Sequence, residues 1–199
     1  MAEATAFDHC SALGAVEYDM HVLAAALLLR RYPPPADASN DPKALRQLAG
    51  DALLLKMRAL LEFLGLLDSR NGRLFSIGDF KLDTLPQDRR FGVLFGHISQ
   101  RCAHLTKDRA KHRLWVWPHL DRAGLLVLAL CAEASYTIRA TGLFPSRSAQ
   151  SSRHTVLLEQ LRLLGLPTQL ALDAGTWPSN QAMELTARLA ALAPVRPTL

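Results

Sequence analysis

Three consecutive prolines, Pro33, Pro34 and Pro35, follow a run that carries Leu13, Val16, Met20, Leu23, Leu27 and Leu28. Those apolar residues recur every three to four positions, which is the period of a helix with a buried face and not the alternation of a strand. Proline has no backbone donor and its ring clashes with the preceding turn, so a helix from about Asp8 must stop near Tyr32. After the exposed linker PPPADASN, Asp41-Pro42 opens a second helix. The aspartate accepts from orphan first-turn donors, and proline at N1 gives up a donor that has no partner there. A chain punctuated this way folds by packing rods.

The rest of the sequence continues in the same manner. The second helix is expected to reach about Leu67, with Leu45, Leu48, Leu55, Leu60 and Phe63 supplying buried surface and its last third apolar nearly all round. Residues 68–88 form an irregular loop, marked by Asn71-Gly72 and Pro86, with Leu74, Phe75 and Ile77 as a short extended piece or a core plug. A third helix runs from near Asp88 to about Arg113, and Pro118 starts a fourth that ends at Gly142. The fourth is the most apolar and should be the most buried. A fifth spans about Ser152 to Leu164, closed by Gly165 and Pro167. Leu and Ala dominate and β-branched residues are sparse. With 49% apolar and 21% charged residues there is enough material for a core. The expectation is all-α: a single helical bundle of about five helices over residues 1–167, then a weakly patterned C-terminal tail, 168–199. In that tail SNQAMELTARLAAL either forms a helix or frays.

Several classes are disfavoured. Cys10, Cys102 and Cys131 are odd in number and far apart, as suits free thiols in a reducing compartment, and no paired spacing points to zinc. The first twenty residues lack a basic region, so they do not read as a secretory signal. The longest apolar run, Ala123 to Ala132, is about half of the ~20 residues a membrane span needs. A cytoplasmic protein that engages no membrane and uses no cofactor and no metal is the expectation. No Gly-rich phosphate loop, HExxH or CxxC is present.

Charge is where the chain departs from a generic bundle. Between Arg89 and Arg113 lie seven Lys or Arg residues against the single acid Asp108, and three of the seven histidines, His97, His104 and His112. The whole chain carries +5, so the remainder is close to neutral. On one helix at about 100° per residue, with His97 at zero, Arg90, Arg101, His104 and Asp108 fall within about 40° of it. Phe91, Ile98 and Leu105 sit about 80° to 120° away, so a polar stripe runs along the lip of an apolar one. Histidine exchanges protons near neutrality, and arginine grips phosphate oxygens through two parallel hydrogen bonds. Such a stripe suits a polyanion, and together these groups could cleave a phosphodiester without metal. The opposing reading gives the histidines to neighbouring helices and the charges to solvent. His97, Arg90, Lys107, Arg109, Lys111 and Arg113 are the candidate nucleic-acid or anion contacts. Trp115 and Trp117 flank the segment and could stack on bases, or belong to the core. Arg58 stands in the apolar run ALLLKMRALLEFL. It pairs with Glu62 one turn on, bridges to Asp79, Asp83 or Glu17, or lies at the lip opposite the third helix.

These residues resemble a family of small bacterial HEPN-like all-helical proteins. The family pattern Arg-x-Leu-x-x-Phe is matched by Arg58, Leu60 and Phe63, and its Asp-Phe by Asp79-Phe80. A third-helix pattern Ile-Asn-Lys-x-x-Ala-His-Leu-Thr-x-x-Arg is matched by ISQRCAHLTKDR, which places Ile98, Arg101, Ala103, His104, Leu105, Thr106 and Arg109. The resemblance covers about residues 8–140, and AHLTKDR is its most specific piece. It implies a four- to five-helix bundle that binds or cleaves RNA in a defence or toxin–antitoxin setting, and a homodimer in which two motifs face each other. His104 would exchange the proton, and Arg101, Arg109 and Arg58 would hold the phosphate. Active HEPN ribonucleases separate an arginine from a downstream histidine by four to six residues; six lie between Arg90 and His97, and two between Arg101 and His104. The alternative is a non-enzymatic interaction protein, an antitoxin, immunity or scaffold component, whose basic helix docks an acidic partner.

Overall fold

The computed structural model of the chain describes residues 8–33, 35, 41–67, 75–94, 96, 117–141, 152–166 and 177–192. Among these, five long helices and a 3-10 turn pack around one apolar core, and no strand occurs. The helices are α1 (His9–Arg31), α2 (Pro42–Phe63), α3 (Trp117–Ala140), α4 (Ser152–Leu163) and α5 (Asn180–Leu192), with the 3-10 turn at Ile77–Phe80. Residues 89–94 are also helical. The chain is therefore an all-α bundle, as its punctuation requires.

The helix ends follow from local chemistry. Asp8 Oδ1 accepts from the backbone N–H of Cys10 at 3.0 Å and of Ser11 at 3.2 Å, and Tyr32 N–H closes the last turn of α1 on the Leu28 carbonyl at 2.7 Å. Asp41 caps α2 through Lys43 N–H at 2.9 Å, with Pro42 in the first turn. The expected extension of α2 to Leu67 is corrected, because the helix stops at Phe63. Gly65 takes φ +70, and the paired bonds Leu66 N–H to Leu61 O and Gly65 N–H to Glu62 O, both 3.1 Å, close the end. α4 ends the same way at Gly165, φ +74, with Leu166 N–H on Leu161 O at 2.9 Å and Gly165 N–H on Arg162 O at 3.0 Å. Only glycine enters this left-handed region without strain, so each Leu-Gly-Leu is a stop written into the sequence.

Inside the bundle α1 packs on α2, α3 and α4, while α3 also packs on α2 and α5. α3 is sheathed on nearly all sides: Ala123, Val127, Leu128, Leu130, Cys131, Ala134 and Ile138 have no exposed surface. Of the part expected to be irregular, residues 75–88 hold the 3-10 turn, whose Ile77 and Phe80 plug the core while Phe75 stays outside. Phe63 and Phe80 meet edge to face at 6.1 Å. The core does not end at residue 167. Ala182 and Leu189 of α5 are fully buried, and Trp177 Nε1 donates to the Asp83 carbonyl at 2.8 Å, tying the C-terminal part to the 75–88 stretch.

Two sequence expectations about burial fail on α2. Leu48 and Leu55 are 64% and 55% exposed, and Leu45 is half-buried. The helix buries the opposite face through Leu53, Leu54, Met57, Leu60 and Leu61, a choice that leucines on both of its faces leave open. By length and composition, His9–Arg31 and His119–Ala140 are each apolar enough to cross a membrane. In the bundle 72% of the apolar window of the second is buried, but only 50% of that of the first.

Candidate nucleic-acid interface

The basic segment enters the described structure through its first turns. Residues 89–94 are helical, and Phe91 and Leu94, one turn apart, are fully buried. Arg90, beside Phe91, keeps its side chain 44% exposed. The start of the segment thus lies with its apolar side on the core and its polar side at the surface. Asp88 holds Arg90: Nε lies 3.0 Å from both carboxylate oxygens, and a terminal guanidinium nitrogen lies 2.6 Å from Oδ2. The same carboxylate accepts from Arg90 N–H at 2.8 Å. These bonds from Arg90 hold the Asp88 carboxyl at about 2 and raise the Arg90 guanidinium above its ordinary value. An anion reaching Arg90 would compete with a carboxylate already in place.

His97, Arg101, His104, Lys107, Arg109, Lys111 and Arg113 lie outside the described residues, as do Ile98, Leu105, Trp115, and the expected C-cap Gly142. Arg58 is described. Its Nε donates to Glu62 Oε1 at 3.2 Å, the one-turn pair its spacing allows, with the arginine side chain 38% exposed and the glutamate 8%. Two of the bridging partners considered for Arg58 are engaged elsewhere. Asp79 Oδ2 accepts from Ser76 N–H at 2.7 Å, and Glu17 belongs to a different cluster.

That cluster is the polar feature sequence reasoning missed. Glu17, on the buried face of α1, receives Arg139 of α3 through three contacts of 2.6, 2.7 and 2.9 Å. Ser135 Oγ donates to it at 3.1 Å, and His154 Nδ1 of α4 stands 3.4 Å away. Burial pushes the Glu17 carboxyl up, but the hydrogen bonds of His154 and Arg139 outweigh it and leave the group below its usual value. The Tyr136 ring lies edge-on to His154 at 6.3 Å, and burial followed by the charge of Glu17 raises its phenol. Four residues along α1, His21 Nδ1 meets Gln160 Oε1 of α4 at 2.8 Å. The visible signal was an acid, Glu17, between Val16 and Met20 on an apolar stripe; its partner, more than a hundred residues away, was not visible.

Glu133 makes a second buried polar contact. It accepts from Ser179 Oγ, whose oxygen in turn caps α5 through Ala182 N–H at 3.0 Å. Its other oxygen has no hydrogen-bond partner, and burial raises its carboxyl. These contacts join α1 to α3 and α4, and α3 to the start of α5. Among the described residues no group of three His, Cys, Asp or Glu side chains is arranged to hold a metal ion. Comparison with protein-family models, with curated proteins and with solved structures finds no match for this chain.

Proposed function

We propose that the protein is a HEPN-like helical RNA-binding protein of the cytoplasm that grips the phosphate backbone with its basic segment, and that His104, with Arg101 and Arg109 on the phosphate, cleaves it. The single observation that carries this is the concentration of seven cationic side chains and three histidines within Arg89–Arg113, in a chain otherwise near neutral. The all-α bundle is the architecture the HEPN resemblance implies, and the buried Phe91 beside the exposed Arg90 is the pairing of apolar and polar stripes that such a surface needs. The buried contacts of Glu17 and Glu133 tie α1 to α3 and α4, and α3 to the start of α5.

Two measurements on the purified protein test the reading. Filter binding to single-stranded RNA across a salt series should give a log–log slope of about −4, from roughly −0.7 per phosphate neutralised. Arg109→Gln should flatten that slope by about 0.7. Arg90→Gln should leave it unchanged, since Asp88 already occupies that guanidinium. Incubation of RNA in EDTA should yield fragments that His104→Ala abolishes. Binding without fragments leaves an RNA-binding or partner-docking protein and removes the nuclease; a flat salt response removes the RNA reading altogether.

A further inference from the structure

Of the long helices, α5 has a slender hold on the bundle. It packs chiefly on α3, and its inward side is built from Ala182, Leu185, Thr186, Leu189 and Ala190. Alanine and threonine bring little apolar surface, so docking of this helix is weaker than that of α1 or α2, whose inward sides carry more and larger side chains. Ahead of the helix, Trp177 is buried and bonded to the Asp83 carbonyl, which fixes the root of α5 independently of the helix itself.

One hydroxyl at that root serves both helices. Ser179 Oγ gives its single proton to Glu133 Oε1 on α3 and accepts from Ala182 N–H at 3.0 Å, the bond that caps α5. Glu133 is 3% exposed, and its Oε2, sealed from solvent, has no partner. An ionised carboxylate offers about four acceptor sites, so here it would lie dry with a single donor, which is unfavourable until water arrives. Burial is what raises this carboxyl, opposed by the Ser179 bond. Charged groups on the surrounding helices are engaged with one another: Glu17 with Arg139, Asp19 with Lys56, Glu62 with Arg58 and, on the outer side of α5, Glu184 with Arg188. Tyr136, one turn along α3, responds to burial, Glu17 and Arg139.

We propose that α5 is a proton-dependent latch: it lies docked on α3 while Glu133 carries a proton, and lifts as a unit more readily once Glu133 is ionised and water can reach Oε2. Trp177 is the hinge about which it lifts. Because the docked form binds the proton more tightly, docking is tightest below the ordinary carboxylate value of 4.5 and weakens as pH rises through the higher docked value. Lifting uncovers the face of α3 that Glu133 shares with Leu126 and Leu130, seven and three residues before it. The basic segment and its RNA take no part in this device.

Amide hydrogen exchange of the full chain, corrected for its intrinsic pH dependence, reads the opening of each helix separately. The α5 amides should be less protected than those of α3 throughout, and should lose protection from pH 4.5 to pH 8. Glu133→Gln, which keeps an acceptor for Ser179 and carries no charge, should abolish that loss and hold α5 near its acid level. Ser179→Ala removes both the donor and the cap, so it should speed α5 exchange at both pH values and widen the gap between them. An α5 indifferent to pH overturns the latch, as does a pH effect that survives in Glu133→Gln. A single protection level shared by α5 and α3 at both pH values also overturns it, because the bundle would then open only as a whole.

Discussion

At the scale of single residues, the side chains that matter most to the fold are the few buried charges. Glu17 is tolerable in the α1 interface because Arg139, Ser135 and His154 converge on it. Arg139→Leu strands that carboxylate and should cost about 3–5 kcal/mol in urea denaturation at pH 7. Glu17→Gln in the same chain should restore much of the loss, because the uncompensated charge is then gone. The sign of the pH dependence follows from the lowered Glu17 carboxyl. Its stabilising contribution is present above the ordinary value of 4.5 and is lost as pH falls through the lower folded value. Wild-type stability should therefore drop on acidification below about 4.5 more steeply than that of Glu17→Gln. Glu133 works in the opposite sense. Its carboxyl is raised, so the folded state keeps the proton longer and stability falls as pH rises through the folded value. Glu133→Gln, which retains an acceptor for Ser179, should be the more stable protein at pH 8, with the advantage gone by pH 4. A thermal melt at the two pH values checks it.

At the scale of elements, the helix boundaries were legible because their causes are local. Asp8, Asp41-Pro42, the triple proline and Gly165 act within one turn of themselves, and a linear sequence carries that information. Where the sequence reading ran past the end of α2, it passed over Gly65, whose φ of +70 accommodates no other residue without strain. Gly65→Ala should destabilise by about 1–2 kcal/mol, a penalty of backbone conformation. Gly14→Ala, inside α1 with nothing within 4 Å of the added methyl, should stabilise by up to about 1 kcal/mol. Paired chemical denaturation curves distinguish the two, since the changes have opposite signs. The start of the basic segment was legible for the same local reason: Asp88 caps it, and Phe91 and Leu94 turn inward one helical turn apart.

At the scale of the whole molecule, the C-terminal part is a structural member of the bundle. Trp177, Ala182 and Leu189 bury against the rest, and Ser179 closes on Glu133 from across the chain. A chain ending at residue 176 should lose cooperativity and stability together, with a lower midpoint and a smaller denaturant slope as less surface is buried on folding. An unchanged transition would show that α5 is an ornament. What the sequence by itself determined was an inventory of rods: both ends of α1 and α4, the starts of α2 and α3, and that their summed apolar surface demands a bundle. Those properties depend on neighbours three or four residues away. The periodicity of α1 already pointed to its buried side, but the tertiary structure alone decided which side of α2 is inside. α2 carries leucines on both faces, so periodicity could not tell Leu53 and Met57, which are buried, from Leu48 and Leu55, which are not. It likewise decided that Glu17 meets Arg139 and His154, and that the weakly patterned end of the chain closes the core. Such contacts join residues far apart in sequence, and their energies exist only once the rods have packed.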